Sequence, residues 1–225
     1  MAASRVAESG WSSPAGDLLP SYPGSGVEAG GGYSGDGSAE DFLAQAGLQK
    51  GRPVIVYVET KVVVRDEGGH TFDRSHFADE RVAISSKLFG LVKVREGSPL
   101  AKSSFLAGAS APRFVVFDAK GKRVGTVDGP PSASRLYGLM KQAVAASFER
   151  PLEQFVREYR RLLDGIDAIE TRKESLERQR DQLAESPNPV LRRKVETLES
   201  EIKTDSEALV AKEKDLLNIA GASKS

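Results

Sequence analysis

Ala111-Pro112-Arg113-Phe114-Val115-Val116-Phe117-Asp118 is a proline-led apolar run of strand length, and Ala119-Lys120-Gly121-Lys122 follows it as a turn. Strands of this kind, bounded by glycine and proline, read as half of a hairpin. The pattern predicts strands over residues 114–117 and 124–127 about that turn. Upstream, Pro53-Val54-Ile55-Val56-Tyr57-Val58 is a continuous apolar run, as a strand buried on both faces would be. A second β-like run, Lys61-Val62-Val63-Val64-Arg65, ends at Gly68-Gly69. A helix is expected over 73–88, with Phe77, Val82 and Ile84 inward. Phe89-Gly90-Leu91-Val92-Lys93-Val94 reads as the next strand and 100–106 as a short helix. Leu136, Met140 and Val144 stand at helical spacing and predict a helix over 131–147 that packs on the sheet. Before all of this, Ser38 is placed to cap a short helix over 39–48.

Strand, helix, strand, helix, hairpin, helix is the order of the thioredoxin-like fold, and the resemblance covers roughly residues 50–147. Two stretches carry it. His76-Phe77-Ala78-Asp79-Glu80-Arg81-Val82-Ala83 leading to Leu91-Val92-Lys93-Val94 resembles the helix that precedes the central strand in many bacterial members. Ala111-Pro112 resembles the cis-proline position that faces the redox pair. The resemblance implies a cysteine pair near Val64-Arg65-Asp66-Glu67, where this chain has none; it contains no cysteine anywhere. Thiol–disulfide exchange requires a thiolate nucleophile, so that activity is excluded. The resemblance also implies that the sheet edge at Ala111 and Pro112 receives extended peptide backbone. Strand addition of that sort needs no thiol.

Beyond the sheet, Leu152, Val156, Tyr159, Leu163, Ile166 and Ile169 recur at three- and four-residue steps, followed by Leu176 and Leu183. Ser186-Pro187-Asn188-Pro189 interrupts, because two prolines so close cannot lie inside one helix. Leu191, Val195, Leu198, Ile202, Leu209, Leu216 and Ile219 then resume the step, with Asp205 and Lys212 at polar seam positions. Two helices of similar length about a tight turn predict an antiparallel coiled-coil hairpin, each arm about 45–50 Å long at 1.5 Å per residue. Closure about residues 187–188 sets Leu176 opposite Leu198, Ile166 opposite Leu209 and Tyr159 opposite Leu216, and brings Lys173 near Asp205. The same seam would also serve pairing between two chains.

The expected organisation is a disordered Gly/Ser-rich tail over 1–40, a thioredoxin-like α/β domain with a central mixed sheet over 41–148, the coiled-coil hairpin over 149–219 and a flexible end over 220–225. The tail holds nine of the 22 glycines together with Pro14, Pro20 and Pro23. It has too little apolar surface to offset its ordering entropy. Thirty-two basic and 32 acidic residues give no net charge, so no global field draws the chain to nucleic acid or anionic membrane. Arg192-Arg193-Lys194 is a basic cluster, yet residues 149–225 carry 15 basic against 17 acidic side chains, and a solvated helix face is the expectation there. No apolar run approaches the ~18–20 residues of a membrane span. The expected compartment is the cytoplasm, with export after removal of a signal as the alternative.

Asp66, His70, Asp73, His76 and Asp79 are metal-capable. On one helix, Asp73, His76 and Asp79 would share a face, although their spacing matches no closed zinc pattern. The glycines fit no phosphate cradle, and Ser103, Ser104 and Ser110 lack a histidine–acid setting. The expectation is therefore a non-catalytic interaction or scaffold protein without cofactor, binding a protein partner, or a second copy, through the arm or the sheet edge. The alternative is a non-thiol enzyme or metal-dependent regulator built on Asp66, His70, Asp73, His76 and Asp79.

Overall fold

The computed structural model describes residues 51–60, 72–97, 99–102, 106, 111–128 and 132–218. The expected tail, the helix over 39–48, the β-like run over 61–65 and the C-terminal end lie outside these residues. In chain order the described elements are β1 (Val54–Glu59), α1 (Phe72–Phe77), α2 (Glu80–Ser86), β2 (Gly90–Arg95), α3 (Pro99–Lys102), β3 (Arg113–Phe117), β4 (Arg123–Asp128), α4 (Ala133–Ser147), α5 (Leu152–Glu185) and α6 (Pro189–Leu217). They fall into two compact units, a sheet-bearing one that reaches Val156 and a second spanning Arg157–Asn218.

The four strands form one mixed sheet in the order β2-β1-β3-β4. β1 runs parallel to β2, with Val54 opposite Gly90, and antiparallel to β3, with Val54 opposite Phe117. A parallel pair needs a crossover connection, and α1 and α2 lie within it. β3 and β4 form the expected hairpin. Its turn is built by the Asp118 carboxylate, which accepts the backbone N–H groups of Lys120 and Lys122 at 2.9 and 2.8 Å. Gly121 supplies the positive φ of 79°. The ladder slips at Val116/Phe117, where Phe117 faces Arg123 and Val116 faces Gly125, so Val124 is an extra residue bulged out of β4.

Alternation sorts the strands onto two buried faces. Val54, Val56, Val58, Val92, Val94, Val115 and Phe117 join Ala101 and Leu106 in one apolar cluster. Ile55, Tyr57, Phe114 and Val116 point the other way and are also buried. Phe114 gathers Tyr57, His76 and Phe77 around its ring at centroid distances of 5.0, 5.0 and 6.0 Å. α4 presents Leu136, Met140, Ala143 and Val144 as its buried stripe. The Ser147 hydroxyl accepts the Ala119 N–H at 2.9 Å and donates to the Ala143 carbonyl, which ties the end of α4 to the hairpin turn.

Two helices differ from expectation. The single helix predicted over 73–88 is interrupted at Ala78-Asp79. Asp79 takes an extended conformation (φ −74°, ψ 118°) and caps α2, its carboxylate accepting the Arg81 N–H at 2.9 Å. A capping side chain competes with the helix that precedes it. The helix predicted over 100–106 covers Pro99–Lys102 and has ended before Leu106, which lies in a turn.

In the second unit α5 and α6 run antiparallel. Cross-ties join Tyr159 to Glu213, Arg172 to Asp205 and Arg180 to Glu199. Between them Ile169, Leu176, Val195 and Ile202 form a buried cluster, flanked by Leu198 and Leu209. The turn is punctuated as the sequence implies. Asn188 caps α6 by accepting the Val190 and Leu191 N–H groups at 2.9 and 3.4 Å, and Pro189 sits in the first turn, where its missing N–H costs nothing.

Candidate functional site

Three places in the chain were expected to carry function, and the structure treats them differently. At the start of β3 the Ala111-Pro112 peptide bond is cis, as the sequence suggested. Both residues are half-buried. They do not lie on a lateral edge, however. β3 is an inner strand, and its ladder ends at Arg113, which faces Val58 on one side and Asp128 on the other. Among the described residues the lateral edges are β2 and β4. An extended peptide meeting Ala111 and Pro112 would therefore add at the end of the sheet.

Arg113, which follows, is buried, and its Nη2 donates to the Leu106 carbonyl at 2.8 Å and the Ala101 carbonyl at 3.4 Å. Burial and the nearby Arg123 lower its pKa, while Glu96 and Asp128 act in the opposite direction. A charged side chain thus ties α3 and Leu106 to the head of β3. Its position at the head of an apolar strand gave no sign of this task.

The metal-capable group does not assemble as one helical face. Asp66 and His70, and the side chain of Asp73, lie outside the described residues. His76 is fully buried, and its Nε2 accepts the Ser132 backbone N–H at 3.0 Å. Asp79 sits beyond the helix break, and both of its oxygens are held by Arg81, at 3.1 Å from Nε and 2.7 Å from Nη2. Hydrogen bonding from Arg81 keeps the Asp79 carboxyl below its ordinary pKa against the opposing effect of burial. Arg81 in turn lies 5.1 Å over the Tyr137 ring. Among the described residues no group of three or more His, Cys, Asp or Glu side chains is placed to hold an ion.

The seam is the most developed of the three. Leu152, Val156, Tyr159, Leu163, Ile169, Leu176, Val195, Ile202 and Leu216 are buried. Ile166, Leu183, Leu191, Leu198 and Leu209 are half-buried. Phe155 and Leu162, outside the expected seam set, are also buried. They stand at seven-residue steps with Ile169, Leu176 and Leu183, a spacing that was visible from the start. Register agrees closely with closure about residues 187–188. A Cβ on Gly165 would lie 3.1 Å from Leu209, next to the expected partner Ile166.

The polar seam pairing is different. Asp205 takes Arg172 at 2.5 Å, whereas Lys173 turns to Glu170 of its own helix at 3.1 Å, and Lys212 is exposed. The longer guanidinium, one position earlier, reaches across from the flank and leaves the seam itself apolar. Tyr159, expected opposite Leu216, places its buried ring in the seam and donates its hydroxyl to Glu213, one turn away. Desolvation, then Glu213, push the phenol pKa well above its usual value.

Among the described residues no helix is long and apolar enough to cross a membrane. No family model matches the chain, and no curated protein or solved structure matches it.

Proposed function

We propose that this protein is a non-catalytic interaction or scaffold protein, in which a thioredoxin-like domain without its thiol pair carries a coiled-coil arm. Support for the domain comes from the β2-β1-β3-β4 order, the parallel pair bridged by α1 and α2, and the cis bond ahead of an antiparallel hairpin. The chain has no cysteine with which to exchange a disulfide.

The observation that carries the functional reading is the pairing of α5 with α6. Helices of 34 and 29 residues clasp through one narrow apolar stripe, and charged side chains occupy much of the rest of their surface. Such a pair is a rod, and a rod of this length offers recognition surface out of proportion to its core. Its partner is a protein that reads this surface.

The test uses the full chain and two variants. Ile202→Asp places a charge in the buried cluster, and Ser200→Asp places one on the exposed face. Proteins retained by the native chain and by Ser200→Asp but lost with Ile202→Asp are the expected result. Retention of the same proteins by Ile202→Asp would sink the arm as the recognition element. Stoichiometric metal in the purified protein, lost with His70→Ala, would overturn the reading in favour of a metal-dependent regulator.

A further inference from the structure

His76 lies in the sheet-bearing unit and has no part in the proposed recognition by the arm. It sits on α1, fully buried, with its ring edge-on to Phe114 of β3. Its Nε2 accepts the N–H of Ser132, the residue whose own hydroxyl caps α4. Only an unprotonated ring nitrogen can accept, so the fold selects the imidazole with Nε2 bare. This one bond joins α1 to the first turn of α4 across 56 positions of sequence.

We propose that this contact is an acid-sensitive latch: protonation of His76 at Nε2 releases α1 from the N-terminus of α4 and loosens the aromatic cluster around Phe114. Three effects act together. The added N–H faces another N–H, so an attraction becomes a repulsion between donors. The charge lies at the N-terminus of a 15-residue helix, where the aligned peptide dipoles are positive. The site is also screened from water, which leaves an imidazolium poorly solvated.

Charged and titratable groups stand on the elements packed around the ring. On the side of α2, Asp79 has both oxygens engaged by Arg81, and Glu80 adjoins them. On α4, Arg135 adds positive charge and pairs with Asp128 of β4 at 3.7 Å, while Tyr137 lies beneath Arg81. Arg113 of β3 turns to the opposite face of the sheet, toward Ala101 and Leu106, and β1 brings Tyr57 against Phe114. The latch is therefore closed while the ring is neutral and opens as acid protonates it.

The chain has two histidines, so selective 15N-histidine labelling of the full protein yields two ring systems, and His70→Gln assigns them. The expected result is a Ser132 amide whose protection from exchange falls about tenfold or more at the pH where the His76 ring titrates, with a parallel rise in binding of an apolar dye. His76→Gln, which keeps an acceptor but cannot titrate, should move that opening down into the carboxylate range. A Ser132 amide that stays protected after the His76 ring is protonated would overturn the latch. So would an opening that occurs at the same pH in His76→Gln as in the native protein. The first measurement needs no variant.

Discussion

Tyr159 and His76 are both buried polar rings whose partner lies on another helix, and their protonation pulls in opposite directions. For Tyr159 the neutral phenol is the form that the fold favours, through desolvation and then Glu213. Its folded pKa stands above the unfolded one, so the stability it contributes is complete below the unfolded value of about 10 and is lost as the pH rises beyond it. Helicity followed by circular dichroism should therefore fall above about pH 10. In Tyr159→Phe this alkaline loss should shrink, while stability at neutral pH drops by about 1 kcal/mol with the missing hydrogen bond. A native-like alkaline profile in Tyr159→Phe would mean that other tyrosines cause it. Little of this was legible beforehand. Tyr159 was recognised as a seam residue from its spacing, but spacing does not reveal that Glu213 comes within reach of its hydroxyl. His76 was read as metal-capable because a lone imidazole looks the same in sequence whether it faces an ion or an amide. Only burial, and the N–H that meets Nε2, separate the two.

At the scale of elements, the sequence was most readable where one local signal had no competitor. The apolar run of β1, the glycine turn of the hairpin and the Asn188-Pro189 start of α6 each carry their own punctuation. The break between α1 and α2 is hidden because apolar periodicity continues through it; the stop is a cap, and Asp79, metal-capable by type, gives no sign of capping in the sequence. Close packing is also invisible in sequence. Gly125 of β4 lies so near α4 that a Cβ there would stand 2.7 Å from Leu139 Cδ2. Gly125→Ala should cost about 1 kcal/mol or less, because the atom it meets ends a flexible, half-buried side chain that can turn aside. Leu139→Ala should then relieve much of that cost, so that the double variant is more stable than the two single losses together predict. Strict additivity in chemical denaturation would show that the contact is not what requires glycine.

For the whole molecule, the division into two compact units makes a sharp expectation about independence. Ile202→Asp should unfold the second unit, because an unpaired charge in a buried seam costs several kcal/mol, more than the small stability of a single helix pair. Circular dichroism should lose much of its helical signal, while the sheet-bearing unit keeps its resistance to protease. Ser200→Asp should do neither. Leu198→Asp should fall between them, since Leu198 flanks the cluster and remains half-exposed. Simultaneous loss of both units in Ile202→Asp would refute their independence. The α/β-then-helical division and the helix pairing could be read in advance, since each rests on a hydrophobic period. The boundary between the compact units could not, because α5 continues through it without interruption.

The extra residue in β4 has a consequence for colloidal behaviour. Among the described residues β4 has a strand on one side only, and an even, apolar edge of that kind is a template on which other chains can grow sheet. Val124, bulged out of the ladder, breaks the evenness, and Arg123 and Asp128 place opposite charges at the two ends of the strand. Deleting Val124 would set Arg123 opposite Phe117 and Gly125 opposite Val116 without a slip, which straightens the edge. That variant should scatter light and bind a cross-β dye at concentrations where the native chain stays clear. If it stays equally clear, the bulge is not what keeps the chain from aggregating.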